Sequence, residues 1–165
     1  LVEVQDRVEY ALSRVGMSGY EKKAPHHLSG GQKKRVAIAG ILAMKPEVMV
    51  LDEPTAGLDP QGVVDLSKLL RELNDEGITI IISTHEVDLV PNYAERIFVL
   101  VDGLLIAEGT PKEIFSQPEI LEQANLKVPI VTDLFQQLEK DGFDMQGDYP
   151  LTIDEAKDKF LDLLN

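Results

Sequence analysis

The chain contains no cysteine, which excludes disulfides and thiolate metal sites. Basic residues are scarce: 16 Lys and Arg stand against 29 Asp and Glu, a net charge of -13. That balance argues against a general nucleic-acid or anionic-membrane surface and suits a solvated exterior. No apolar run reaches the length of a membrane span. The first residues read as an amphipathic helix rather than a signal peptide. There is no internal repeat and no low-complexity segment. A phosphate-binding loop of the form GxxxxGK[ST] is also absent from the sequence. What is present is 165 residues, enough for one domain with a substantial core.

Periodicity predicts the elements. Leu1, Val4, Val8, Ala11, Leu12 and Val15 recur at helical spacing, and Gly16 closes that helix. A polar loop covers Ser18 to His27. A second helix starts at Ser29 and runs to about Lys45, where Pro46 forces a break. Val48 to Leu51 is a continuous apolar run, as expected of a parallel strand buried on both faces. Gln61 to Asp75 is helical, with Val63, Leu66, Leu70 and Leu73 on one face and Gly77 as its stop. Ile78 to Ser83 is a second buried strand, and a short helix spans about Glu86 to Tyr93. Arg96 to Val101 and Leu104 to Glu108 form a hairpin through Asp102-Gly103, a type I′ turn signal. Beyond Gly109 every signal is helical. Capping-box spacings occur at Thr110 to Glu113, Ser116 to Glu119 and Thr152 to Glu155. Val131, Leu134, Phe135 and Leu138 make a further apolar stripe. The pattern divides into residues 1–46, 47–109 and 110–165, the last an all-helical extension.

The residues that could carry chemistry lie in three places. Leu28-Ser29-Gly30-Gly31-Gln32 combines an N-cap serine with a capping-box glutamine. Capping explains Ser29 and Gln32. It does not explain two bare glycine amides at a helix start, nor Lys33, Lys34 and Arg35 in the first turns, where cations oppose the helix dipole. A docked anion such as a phosphate explains both; a carboxylate partner for Arg35 is the structural alternative. Second, the run Val48 to Leu51 ends in Asp52-Glu53. Ligands of open α/β sheets bind at the carboxyl ends of strands. Two acids there suit Mg²⁺ coordination by one and polarisation of a water by the other, or else form a solvated pair at a strand end. Third, His85 follows the second strand and could reach the same edge, although a lone loop histidine is usually incidental. His26 and His27 read as loop residues. Asp59 and Pro60 have a structural reading as N-cap and first helical residue.

In order, LSGGQ at Leu28 to Gln32, VMVLDEP from Val48, AGLD at Ala56 to Asp59 and STHE ending at Glu86 resemble the ABC-type ATPases. The resemblance covers most of residues 1–108. It implies an α/β fold of the P-loop NTPase kind, a mostly parallel sheet with flanking helices, followed by a small helical extension. It matches Leu28 to Gln32 to the signature motif, Val48 to Glu53 to Walker B, Ala56 to Asp59 to the D-loop and His85 to the switch histidine. By that resemblance Asp52 helps hold Mg²⁺, and Glu53 acts as general base toward a lytic water. His85 contacts the γ-phosphate, and Ser29 and Gly31 bind the γ-phosphate of ATP held by a second ATPase subunit. Each ATP of this family lies between two subunits, so a signature helix is useful to a phosphate loop on its partner.

The stretches "STHEVDLVPNYAERIFVL", "EGTPKEIFS" and "ANLKVPIVTDLFQQL" narrow the resemblance to ATPases of energy-coupling-factor importers, nearest the cobalt/nickel branch. These work in pairs beneath a transmembrane coupling protein and a substrate-capture protein, at the cytoplasmic face of the membrane. Nucleic acid is not an expected partner. The alternatives are an ABC-type ATPase outside transport, or a non-enzymatic docking module. The first residue is not Met, and the chain opens inside a helical pattern. We therefore expect the later part of a longer protein, with the phosphate loop, the adenine-stacking aromatic and the Gln loop before Leu1 and no ATPase activity in the isolated chain. The family's phosphate-loop strand would lie between Ile78 to Ser83 and Arg96 to Val101, leaving the sheet of this chain incomplete. An intact strand pair at Asp52 and Ser83 and an intact signature helix are expected.

Overall fold

A computed structural model describes residues 2–145 and 147–163, with the backbone alone at Leu163. Two compact units divide the chain, residues 1–84 and 85–165. The first contains α1 (Val2–Arg14), α2 (Gly30–Leu42), β1 (Val48–Asp52), α3 (Pro60–Asp75) and β2 (Thr79–Ser83). The second contains β3 (Ile97–Val101), β4 (Leu104–Gly109) and four helices: α4 (Pro111–Phe115), α5 (Pro118–Gln123), α6 (Ile130–Lys140) and α7 (Ile153–Leu163). No helix among the described residues is long and apolar enough to cross a membrane.

In the first unit β1, α3 and β2 form a parallel crossover, with Val48 opposite Thr79 and Asp52 opposite Ser83. Helix α3 begins at the expected cap, where Asp59 accepts from the Gly62 amide at 2.8 Å. Its stripe of Leu66, Leu69, Leu70 and Leu73 packs with Ala11, Leu12 and Val15 of α1 and its exit, Ile38, Ala39 and Leu42 of α2, and Met49 and Leu51 of β1. Leu73 is wholly buried. At the N-terminus the stripe is shorter than expected, because Val4 is exposed; Leu1 lies outside the described residues. Helix α2 stops at Leu42, one turn before Pro46, and Lys45 takes a left-handed φ of 53°.

Burial of β1 on both faces is not what the structure shows. Met49 and Leu51 face the core, while Val48 and Val50 are 51% and 67% exposed. Ile81 beside them on β2 is 52% exposed. Successive strand residues point to opposite faces, and the helices of this unit supply one apolar layer. Among the described residues β2 pairs with β1 alone, and β3 with β4 alone. The β1/β2 pair and α2 are intact, as expected.

The second unit opens with turns and a single 3-10 turn at Val90–Asn92, not the expected helix from Glu86 to Tyr93. Pro91 has no N–H to continue an α-helical ladder. The hairpin forms as expected, with positive φ at both Asp102 and Gly103. Thr110 and Glu113 complete a capping box. Ser116 does not form one. It ends α4 and donates to the Glu113 carbonyl at 2.9 Å, and α5 begins at Pro118 without a side-chain cap. At α7, Thr152 accepts from the Glu155 amide at 3.2 Å, while the Glu155 carboxylate reaches the Leu151 amide instead of that of Thr152. Along α6 Phe135 is fully buried and stacks edge-on with Phe160 at 5.2 Å, whereas Leu134 is exposed.

Candidate functional site

The end of β1 and the end of β2 meet in register, which brings four polar side chains together. The Ser83 hydroxyl donates to the Asp52 carboxylate. The Thr84 hydroxyl lies 3.3 Å from Glu53 Oε2 and donates to it. Between these contacts, the Glu53 amide donates to the Ser83 carbonyl at 3.0 Å. Glu53 has a φ of 44°, a region few residues other than glycine adopt. The chain therefore leaves β1 in a sharp turn at Glu53, and Pro54 and Thr55 behind it are buried. Two hydroxyls and two carboxylates form a hard-oxygen set. Asp52 is exposed, and one carboxylate with a neighbouring hydroxyl fits Mg²⁺, which takes few protein ligands and completes its shell with water and phosphate oxygens. Among the described residues no three His, Asp or Glu side chains converge as a self-sufficient metal cage.

At the N-terminus of α2 the capping box is complete. Ser29 Oγ accepts from the Gln32 amide at 3.3 Å, and Gln32 Oε1 accepts from the Ser29 amide at 3.0 Å. Leu28 is buried beneath it. Gly30 is exposed, with open space where a Cβ would project, and Gly31 approaches Leu58 at 3.4 Å from that position. Two of the three cations that follow have partners within the chain. Arg35 bonds Asp65 at 3.0 Å. Hydrogen bonds from Gln61 first, and then from Arg35, hold the Asp65 carboxyl below the usual aspartate range. Lys34 donates to the carbonyls of Glu53 at 2.9 Å, Pro54 at 3.1 Å and Ala56. The carboxylate alternative for Arg35 is thus realised. Neither contact involves the Ser29 to Gly31 amides.

The remaining sites are placed as follows. Asp59 caps α3 at the end of the turn that starts at Glu53. His85 is exposed and opens the second unit, directly after Thr84 in the chain. A cavity of about 270 Å³ beside α2 and α3 is lined by Lys34, Arg35, Leu58, Gly62 and Asp65, and not by Asp52 or Glu53. Sequence reasoning missed Ser83 and Thr84 as partners of the two acids, and Lys34 as a partner of the backbone from Glu53 to Ala56. The cations opposing the helix dipole were the available signal for Lys34.

A sequence profile of the ABC transporter family matches residues 3–56, from α1 through the Glu53 turn. A putative ABC transporter ATP-binding protein of Methanothermobacter marburgensis is 56% identical over 163 residues, 98% of this chain and 59% of that protein. The chain belongs to the ABC transporter ATPases. The energy-coupling factor transporter ATP-binding protein EcfA of Methanothermobacter thermautotrophicus is 56% identical over 162 residues, 98% of this chain and 51% of the relative. Among solved structures of ABC ATPases, cbiO1 from Clostridium perfringens, described as part of the ABC transporter complex cbiONQ, is 50% identical. It superposes with a TM-score of 0.63 over 80% of this chain and 53% of its own. An ATP-binding cassette in its ADP conformation gives 34% identity and a TM-score of 0.67 over 73% of this chain and 49% of its own. The fold is that of the P-loop ABC ATPases, and the chain spans about half the length of the curated relatives it matches.

Proposed function

We propose that this chain is the signature-to-switch part of an ATP-hydrolysing subunit in an energy-coupling-factor importer. The observation that carries the reading is the pair Asp52 and Glu53 at the carboxyl end of β1, each bonded to a hydroxyl from the end of β2. Asp52, oriented by the Ser83 hydroxyl, would help hold Mg²⁺, which supplies charge neutralisation to the phosphates when bound. Glu53 would accept the proton of the attacking water, and His85 would contact the γ-phosphate. Ser29 and Gly31, with Gly30 exposed between them and Leu28 and Gln32 shaping the helix start, would bind the γ-phosphate of ATP held by a second ATPase subunit. Asp59 would stand beside that shared interface.

The phosphate loop would lie before Leu1, and the isolated chain would not turn over ATP. Residues 1–46 would belong to the signature subdomain, 47–109 to the catalytic core and 110–165 to a helical extension. The 56% identity to EcfA supports the importer type. The partners would be a second ATPase, a transmembrane coupling protein and a substrate-capture protein, with the ATPase pair peripheral on the cytoplasmic face. Cobalt or nickel is the proposed cargo, on the resemblance of Glu108 to Ser116 and Ala124 to Leu138 to that branch. The capture protein would select it.

The test is Mg²⁺-dependent ATP hydrolysis and ATP-driven association of the longer protein, with Ser29→Ala as the variant. Losing the cap costs about 1 kcal/mol of stability. The expected result is a folded protein whose association falls further than its thermal melt explains. Absence of hydrolysis in the unmodified protein contradicts the reading. Association lost only in step with unfolding contradicts the role of Ser29.

A further inference from the structure

The geometry points to Lys34 as a positioning residue for Glu53, an inference that rests on the ATPase reading above. Lys34 lies on the second turn of α2 and is half-buried. An ammonium group has three protons to donate. Here they go to three main-chain oxygens, those of Glu53, Pro54 and Ala56. All three belong to the turn by which the chain leaves β1. A lysine at a helix surface normally keeps its ammonium in water. Committing it to main-chain oxygens fixes a piece of backbone.

The backbone so fixed is that of the proposed general base. Glu53 sits in the left-handed region, where a side chain crowds the backbone and surrounding contacts must hold the conformation. Its amide is held by the Ser83 carbonyl at 3.0 Å. Its carbonyl is held by Lys34 at 2.9 Å and by the Ala56 amide at 3.3 Å. Without the ammonium, three carbonyls lose a charged donor, and the Glu53 backbone is freer to relax toward ordinary φ. The carboxylate moves with it. Lys34 takes no part in the capping box, which uses Ser29 and Gln32 alone. Its loss should therefore affect turnover and spare the docking end of α2.

The experiment compares Lys34→Met, Lys34→Arg and Glu53→Gln in the longer protein, measuring kcat, KM for ATP, ATP-driven association and thermal melts. Lys34→Met is expected to lower kcat by about tenfold or more, within what an ångström of misplacement costs a reacting group. KM and association should hold. Lys34→Arg, which keeps charge and donors, should recover part of the loss. Combining Lys34→Met with Glu53→Gln should lower turnover no further than Glu53→Gln alone. If Lys34→Met does not fold, Lys34→Gln replaces it with the same expectations. Unchanged kcat in a protein that Glu53→Gln inactivates overturns the inference about Lys34 alone. So does a rise in KM without a fall in kcat, or Arg performing no better than Met. If Glu53→Gln itself turns over like the unmodified protein, the reading of Glu53 fails and the role of Lys34 fails with it.

Discussion

Ser83 donates its hydroxyl proton to the Asp52 carboxylate across the last register position of the β1/β2 pair. The contact fixes the orientation of an exposed acid at a strand end. Groups that orient a metal ligand commonly alter metal affinity when removed. Ser83→Ala in the longer protein is therefore expected to raise the Mg²⁺ concentration needed for half-maximal hydrolysis by about tenfold. Thermal stability should change little, because Ser83 is exposed. A Mg²⁺ titration of turnover reads this directly, and an unchanged midpoint contradicts the role of Ser83 in orienting Asp52.

The outer edge of β2 makes a prediction for the isolated chain. Thr79 donates to Glu47, and Glu53 donates to Ser83, across the paired edge. Alternate amides of a strand point to opposite edges. The amides of Thr79, Ile81 and Ser83 should be protected from exchange, while those of Ile80 and Ile82 exchange fast. With Val48, Val50 and Ile81 exposed on one face, this region should also drive self-association. Slow exchange at all five amides in a demonstrated monomer contradicts this account.

A third prediction concerns pH and the second unit. Lys112 at α4 and Lys159 on α7 both reach Asp148, the latter at 3.3 Å. The hydrogen bond from Lys112 first, and then that from Lys159, hold the Asp148 carboxyl below its ordinary value. A depressed carboxyl stabilises the fold above its unfolded value, and that stability is lost as pH falls through the folded value. The groups are solvent-screened, so Asp148→Asn should cost about 1 kcal/mol at most near neutrality. The difference in melting temperature between the two proteins should close as pH drops below the ordinary aspartate range. A gap that persists there contradicts the ion-pair explanation.

Local signals were the legible ones. Ser29 with Gln32, Thr110 with Glu113, Asp59 with Pro60, and Asp102-Gly103 each complete their bonds within four residues, and each formed as read. Where the outcome depended on what else occupies the space, reading failed. Ser116 has capping-box spacing, yet the preceding helix claimed it as a terminus. Val48 and Val50 are apolar enough for burial, but sequence pattern does not say whether a second layer covers them. The site divides in the same way. Asp52 and Glu53 were legible as acids at a strand end. The left-handed backbone of Glu53 was not, because nothing in a glutamate marks that conformation as a glycine would. Lys34 contacts residues about twenty positions away, a distance over which periodicity carries no information.

The central claim is that Glu53 is the base of an ATP-hydrolysing site. It is tested most directly by Glu53→Gln in the longer protein, with ATP binding and hydrolysis measured on the same preparation. The amide keeps the shape of the side chain and loses the basic oxygen. The account predicts ATP bound as tightly as before and turnover reduced by about a hundredfold or more. Turnover close to that of the unmodified protein would contradict it.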